Sequence, residues 1–155
     1  MMLGPDFEKT VDAIVARYPR PKAALLPVLW EIQRAKGWID LPSEAWVAER
    51  LGVSPAHVHG VVTFYTMFKQ RPTGKYHFQV CTTLSCMLRG SDELLEHLKK
   101  KFGIAEGQVT ADGRFSVCRV ECLGACGYAP MFQLNDDFYE NLTLEKVDRL
   151  IESLS

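Results

Sequence analysis

Val117-Cys118-Arg119-Val120-Glu121-Cys122-Leu123-Gly124-Ala125-Cys126-Gly127-Tyr128-Ala129-Pro130-Met131 is the stretch on which the rest of the chain depends. It begins as a strand and then sets two cysteines four positions apart among glycine and alanine, where backbone can wrap closely around whatever two thiolates hold. A second pair, Cys81 and Cys86, lies upstream, so four of the five cysteines fall into two close pairs.

The surrounding residues read as a small sheet. Phe115 to Glu121 follows an Asp112-Gly113 turn signal and delivers Cys122, while Tyr76, Phe78 and Val80 alternate with His77 and Gln79 as a strand that delivers Cys81. Between them, Leu94, Leu95, Leu98 and Phe102 fall at helical spacing, with Ser91 as the expected cap, Asp92 and Glu93 in the first turn and Gly103 after the end. Met131 to Leu134 predicts a third strand, Asn135-Asp136-Asp137 a turn, and Phe138 to Glu140 a short fourth. Thr143 caps a final helix, with Leu142 and Val147 placed as a hydrophobic staple. Both cysteine pairs then sit at strand ends, where open α/β sheets bind ligands.

Residues 1–72 read differently. Four helices are expected: one capped by Asp6 with Phe7, Val11, Ile14 and Val15 inward; one with Leu25, Val28, Leu29 and Ile32 inward, Pro27 either in its first turn or kinking it, and Gly37 after it; one opened by Ser43 and closed by Gly52; and one opened by Ser54-Pro55 and running toward Met67. The turn-rich joint Gln70-Arg71-Pro72-Thr73-Gly74 separates this helical region from the sheet domain of residues 73–155. The expected class is α/β (α+β): an N-terminal helical bundle, then a domain with a four-stranded sheet and two helices.

With 155 residues, 47% hydrophobic and 24% charged, the chain is long enough for a real core and shows no sign of disorder. Its apolar runs are too short to span a membrane, and Asp6 and Glu8 near the start do not fit a secretory signal, so a cytoplasmic location without membrane insertion is expected. Paired cysteines in that reducing setting point to metal or redox chemistry over disulfides, and an odd total of five agrees. Basic and acidic side chains number 8 and 7 in residues 1–70, and 10 and 12 in residues 71–155. No basic stripe for nucleic acid results, and the third and fourth helices lack the cations and amides of a DNA-reading pair. Lys99-Lys100-Lys101 is read as the last turn of a helix, His57 and His59 as surface or packing residues.

Cys81-x4-Cys86 and Cys122-x3-Cys126, separated by 35 residues, offer four thiolates as two pairs. Spacing leaves a binuclear iron-sulfur cluster and a tetrahedral zinc both open, whereas a redox dithiol prefers Cys-x-x-Cys, which is absent. Thr82, Thr83, Ser85, Gly124, Ala125 and Gly127 are small enough to bring amides and hydroxyls onto negatively charged sulfurs, and Leu84, Leu123, Met87 and Leu88 are expected to keep water off them. Cys118 shares a strand face with Val120 and is expected to be a buried, unreactive thiol. No dinucleotide or phosphate-binding fingerprint and no hydrolytic triad can be nominated.

Gly60-Val61-Val62-Thr63-Phe64-Tyr65, Cys81-Thr82-Thr83-Leu84-Ser85-Cys86, and Val120-Glu121-Cys122-Leu123-Gly124-Ala125-Cys126 with Ala129-Pro130 resemble the thioredoxin-like [2Fe-2S] ferredoxin family over essentially the whole chain. More narrowly they resemble the branch of that family found in bacterial NADH:quinone oxidoreductase (complex I), the counterpart of the mitochondrial NADH dehydrogenase flavoprotein 2. Related subunits occur in NAD-dependent formate dehydrogenases and in NAD-linked or bifurcating hydrogenases. The resemblance implies a [2Fe-2S] cluster held by Cys81, Cys86, Cys122 and Cys126, a thioredoxin-like domain, and one-electron transfer beside a partner flavoprotein that binds FMN and NADH. It places the helical region against that partner and the chain on the cytoplasmic arm of a membrane complex, with no complete active site of its own. Arg89 or Arg119 would tune the potential, and Ala129-Pro130 is expected to be cis. The rival from another class is a zinc-stabilised interaction module.

Overall fold

The joint around Gly74 separates two compact units, Met1–Pro72 and Thr73–Ser155, in a computed structural model that describes residues 4–154. The first unit contains α1 (Pro5–Val15), a 3-10 turn (Pro21–Ala24), α2 (Leu25–Lys36), α3 (Leu41–Leu51) and α4 (Pro55–Phe64). Each α-helix supplies side chains to one core, among them Val11, Val28, Leu29, Ile32, Val47, Val58 and Val62, with Phe68 closing it. Gly37 and Gly52 end α2 and α3 in the left-handed conformation, where a side chain would be strained.

Two helix starts in this unit differ from expectation. Gly4 occupies the cap of α1, and Asp6 lies inside the first turn, paired with Lys9 at 3.0 Å. At α3 the cap is Asp40, whose carboxylate accepts the Ser43 amide at 3.0 Å; Ser43 itself is fully buried. A carboxylate reaches further than a hydroxyl, so Asp40 satisfies the amide three residues on and also takes the Lys36 ammonium and the Ser43 hydroxyl. Partial burial pushes the Asp40 pKa up, but the Lys36 ammonium and the Ser43 groups outweigh it and hold it at about 2. Asp40→Ala is expected to destabilise the helical unit by about 1 kcal/mol at neutral pH. Because the folded pKa is depressed, that contribution is present above the ordinary carboxylate value and is lost as pH falls toward 2. Urea midpoints of the two proteins, separate at pH 7, should converge in acid.

The end of α4 also differs. The helix stops at Phe64 instead of Met67, because the backbone beyond it is held elsewhere: the buried Gln33 side chain donates to the Met67 carbonyl at 2.9 Å and accepts the Lys69 amide at 2.7 Å. His59 is exposed, its Nδ1 2.9 Å from the buried Glu44 carboxylate of α3, and His57 is exposed, as surface residues should be.

In the second unit, β1 (Tyr76–Cys81), α5 (Leu84–Leu88), α6 (Ser91–Phe102), β2 (Phe115–Val120), a 3-10 turn (Cys126–Tyr128), β3 (Phe132–Leu134), β4 (Asp137–Tyr139) and α7 (Leu144–Ser153) follow in order. The four-stranded sheet runs β2-β1-β3-β4, with β1 and β2 parallel and the other pairs antiparallel. Alternation sends Phe78, Val80, Phe115, Val117, Phe132 and Leu134 into one core with Leu94, Leu95 and Leu98 of α6 and Val147 and Ile151 of α7. The staple residues Leu142 and Val147 are both buried there. Gly90, in the left-handed conformation, takes the cap position of α6, and the expected cap Ser91 is the buried first helical residue. Lys99, Lys100 and Lys101 occupy the last turn of α6, Lys99 pairing with Glu96 and Lys101 with Asp148. The short helix α5, between the first two cysteines and α6, has no separate periodic signal in the sequence.

Candidate metal centre

Parallel pairing of β1 and β2 brings their C-terminal ends to the same sheet edge, with Cys81 in register with Val120, two residues before Cys122. The Thr82 amide extends this pairing to the Val120 carbonyl at 3.2 Å. From the neighbouring strand, the Met131 carbonyl accepts the Cys81 amide at 3.2 Å. The Ala129-Pro130 peptide just before it is cis, as the family resemblance implies.

Helix α5 sorts the loop between the first two cysteines. Cys86 faces inward and, with Cys81, Ala129 and Met131, forms a small buried group against which Leu123 and Ala125 pack. Leu84, Met87 and Leu88 recur at i, i+3 and i+4, so they share the opposite face and are 66, 46 and 73% exposed. Of the four side chains expected to keep water off the thiols, only Leu123 lies against them. The other three, like Tyr128, are exposed.

Cys122 and Cys126 are exposed, with sulfurs 3.5 Å apart. Two thiolates on one tetrahedral ion with metal–sulfur bonds of about 2.3 Å stand about 3.7 Å apart. Gly124 turns the chain between them at a φ of 87°, which only glycine adopts without strain, and donates its amide to Cys122 Sγ at 3.4 Å. The Thr83 hydroxyl, unused as a cap for α5, lies 3.2 Å from Cys81 Sγ. The Leu123 amide favours ionisation of Cys81, and the Met131 amide that of Cys86.

These contacts divide each pair electrostatically. Burial opposes ionisation of Cys81, but the Thr83 hydroxyl and amide and the Leu123 amide hold its pKa below the ordinary thiol value. The Gly124 amide, with Cys126 and Thr83, does the same for Cys122. Cys86 is pushed up to about 11 by burial and by the neighbouring Cys81 charge, and Cys126 is raised by the Cys122 thiolate. Each pair thus holds one thiol whose ionisation its surroundings favour and one whose ionisation they oppose. The sulfurs are arranged two and two, which fits a donor set shared between two irons.

Arg119 is engaged by Glu106, whose carboxylate accepts its Nε at 3.1 Å and its amide at 2.9 Å. Arg89 follows α5 directly, exposed, with its amide on the Cys86 carbonyl. Cys118 is half-buried, where a buried thiol was expected, because it lies on the sheet face opposite the one that packs α6 and α7. The amides of Leu123 and Met131 and the position of α5 had no sequence signal, since each depends on segments that meet only in the fold.

Residues 11–155 match the family described as thioredoxin-like [2Fe-2S] ferredoxin. The chain is 46% identical to a subunit of the NADH-quinone oxidoreductase of Rickettsia bellii, over 92% of this chain and 87% of the relative. It is 42% identical to NADH-quinone oxidoreductase subunit 2 of Thermus thermophilus, over 96% and 84% respectively. Among solved structures it resembles an NAD+-reducing [NiFe]-hydrogenase, with a TM-score of 0.69 and 28% identity over 83% of this chain; it spans 21% of that hydrogenase chain. With the family model covering nearly its whole length, and relatives this similar over most of theirs, the chain belongs to the thioredoxin-like [2Fe-2S] ferredoxin family.

Proposed function

We propose that this chain holds one [2Fe-2S] cluster through Cys81, Cys86, Cys122 and Cys126 and transfers single electrons beside an FMN- and NADH-binding flavoprotein, as a subunit of an NADH:quinone oxidoreductase. The observation that carries the reading is the arrangement of the two thiol pairs: Cys81 and Cys86 are buried, Cys122 and Cys126 are exposed, and Leu84, Met87, Leu88 and Tyr128, close to them in the chain, are exposed as well. When bound, the cluster supplies a one-electron couple whose formal charge goes from roughly −2 to about −3. The chain's part is to hold the sulfurs, to direct the Gly124, Leu123 and Met131 amides and the Thr83 hydroxyl at them, and to leave one edge open for electron exchange. Exposed apolar side chains this close to the thiols in the chain suit coverage by a partner, which would also keep water from the exposed pair.

The helical unit offers Leu41 and Phe64, 69 and 76% exposed, as further apolar surface for the same flavoprotein. NADH oxidation belongs to the assembled complex, and this chain contributes no complete active site. No helix of the described residues is long and apolar enough to cross a membrane, which accords with a peripheral place on a cytoplasmic arm. Likeness to the NAD+-reducing hydrogenase favours one second reading, the same electron-carrying role in a hydrogenase-type complex.

Anaerobically purified protein should be red-brown, carry two irons per chain, and give a rhombic paramagnetic signal after reduction. A colourless protein with one zinc per chain would refute the proposal in favour of a zinc-stabilised module. Co-purification with a flavin-binding subunit, and the identity of the subunits beyond it, separates the quinone from the hydrogenase setting. Thr83→Val should keep the cluster and lower its reduction potential by about 40 mV, the one-electron equivalent of a hydrogen bond worth about 1 kcal/mol to the more negative state. Potentiometric titration of the paramagnetic signal measures it.

A further inference from the structure

On the sheet face opposite the one packed by α6 and α7 lies a group of polar side chains that the cluster site does not use. His77 of β1 is in register with Ser116 of β2, and Cys118 is the next residue of β2 on that face. His77 is 8% exposed and Ser116 2%. Ser116 Oγ accepts the Gly74 amide at 2.9 Å and lies 2.7 Å from His77 Nδ1, while His77 Nε2 is 3.5 Å from Cys118 Sγ.

A buried imidazole needs partners, and this one has a serine at one nitrogen and a thiol at the other. The serine is itself tied to backbone, so the ring is oriented by a group that cannot easily move. With Nδ1–H donated to Ser116 Oγ, which has lone pairs for both the Gly74 and His77 hydrogens, the Nε2 lone pair points at Cys118. A nucleophile beside a base, with the base oriented by a third group, is the arrangement that activates a thiol. Cys118 is also half-buried instead of sealed in the core, which leaves it open to a small reagent.

We propose that Cys118 is a reactive thiol separate from the cluster ligands, oxidised by hydroperoxides to a sulfenic acid, with His77 as its proton partner and Ser116 as the residue that positions His77. The thiol proton passes to His77 Nε2, and the thiolate attacks one peroxide oxygen. An S–O bond forms as the O–O bond breaks; the departing hydroxide takes the proton from His77 and leaves as water. Sulfur loses the two electrons that the peroxide gains, and a thiol can later reverse the product.

The test uses cluster-loaded protein, hydrogen peroxide and dimedone to trap sulfenic acid, with tagged peptides quantified by mass spectrometry and visible absorption read in parallel. Cys118 should be tagged about tenfold faster than the same cysteine in a synthetic peptide of residues 115–121, the gain expected of a thiol with a base in hydrogen-bond reach. His77→Gln and Ser116→Ala should each slow tagging toward the peptide rate. If His77→Gln loses the absorption band and so the fold, Ser116→Ala and the peptide comparison decide. Tagging of wild type no faster than the peptide, or unchanged or faster tagging in a folded variant, would overturn the proposal. The absorption band itself reports separately on the cluster reading.

Discussion

Cys126→Ala is expected to lose or rearrange the cluster, with most of the visible absorption gone, while Cys118→Ala keeps it. Cys126 completes the exposed pair at 3.5 Å from Cys122, and without it that pair has a single sulfur left. The exposed position lets water enter but brings no second thiolate to the Cys122 side. Cys118 is nearby in sequence yet held on β2, its sulfur directed at His77 Nε2, so neither its presence nor its removal alters the four-sulfur set. Iron content and the absorption band of anaerobically purified variants check both halves. Equal loss in the two proteins would place Cys118 in the site and overturn the ligand assignment.

Gly74→Ala is expected to destabilise the second unit by about 3 kcal/mol, an overpacking cost at the upper end of the usual range because backbone cannot rotate out of the way. A Cβ at Gly74 would stand 2.5 Å from the carbonyl carbon of Phe115 and 2.8 Å from its Cα and nitrogen. Any shift that relieves this also disturbs the Gly74 amide bond to Ser116 Oγ and the Tyr76 amide bond to the Arg114 carbonyl, which hold the start of β1 beside β2. Trp30, Trp38 and Trp46 all lie in the first unit, so urea unfolding is best followed by a probe that reports on the second. Far-ultraviolet circular dichroism should show the lower midpoint. At Gly124 the chemistry is different: a Cβ there meets nothing, and the φ of 87° alone makes alanine unfavourable.

Much of the architecture could be read locally. The alternation at Tyr76, Phe78 and Val80 against His77 and Gln79, the helical spacing of Leu94, Leu95 and Leu98, and the stops at Gly37, Gly52 and Gly103 each reflect forces acting within a turn or two of chain. Cysteine spacing was similarly legible, and with the resemblance it pointed to a [2Fe-2S] family before any geometry. Caps were less secure, since Asp40 and Ser43 both have the chemistry and only the fold places Asp40 at the required backbone angle. Met67 fell outside α4 because Gln33, 34 residues earlier, takes its carbonyl.

The sequence by itself determined where most strands and helices would form, α5 and the end of α4 excepted, that four thiols would come as two pairs, and which family the pattern resembles. Only the tertiary structure decided the strand order β2-β1-β3-β4, the outward face of Leu84, Met87 and Leu88, the approach of the Thr83 hydroxyl to Cys81 Sγ, and the close pass of Gly74 against Phe115. Local signals act through neighbours in the chain, whereas these features depend on which distant segments meet: Gly74 reaches Ser116 across 42 residues, and no period or cap in either segment encodes that encounter.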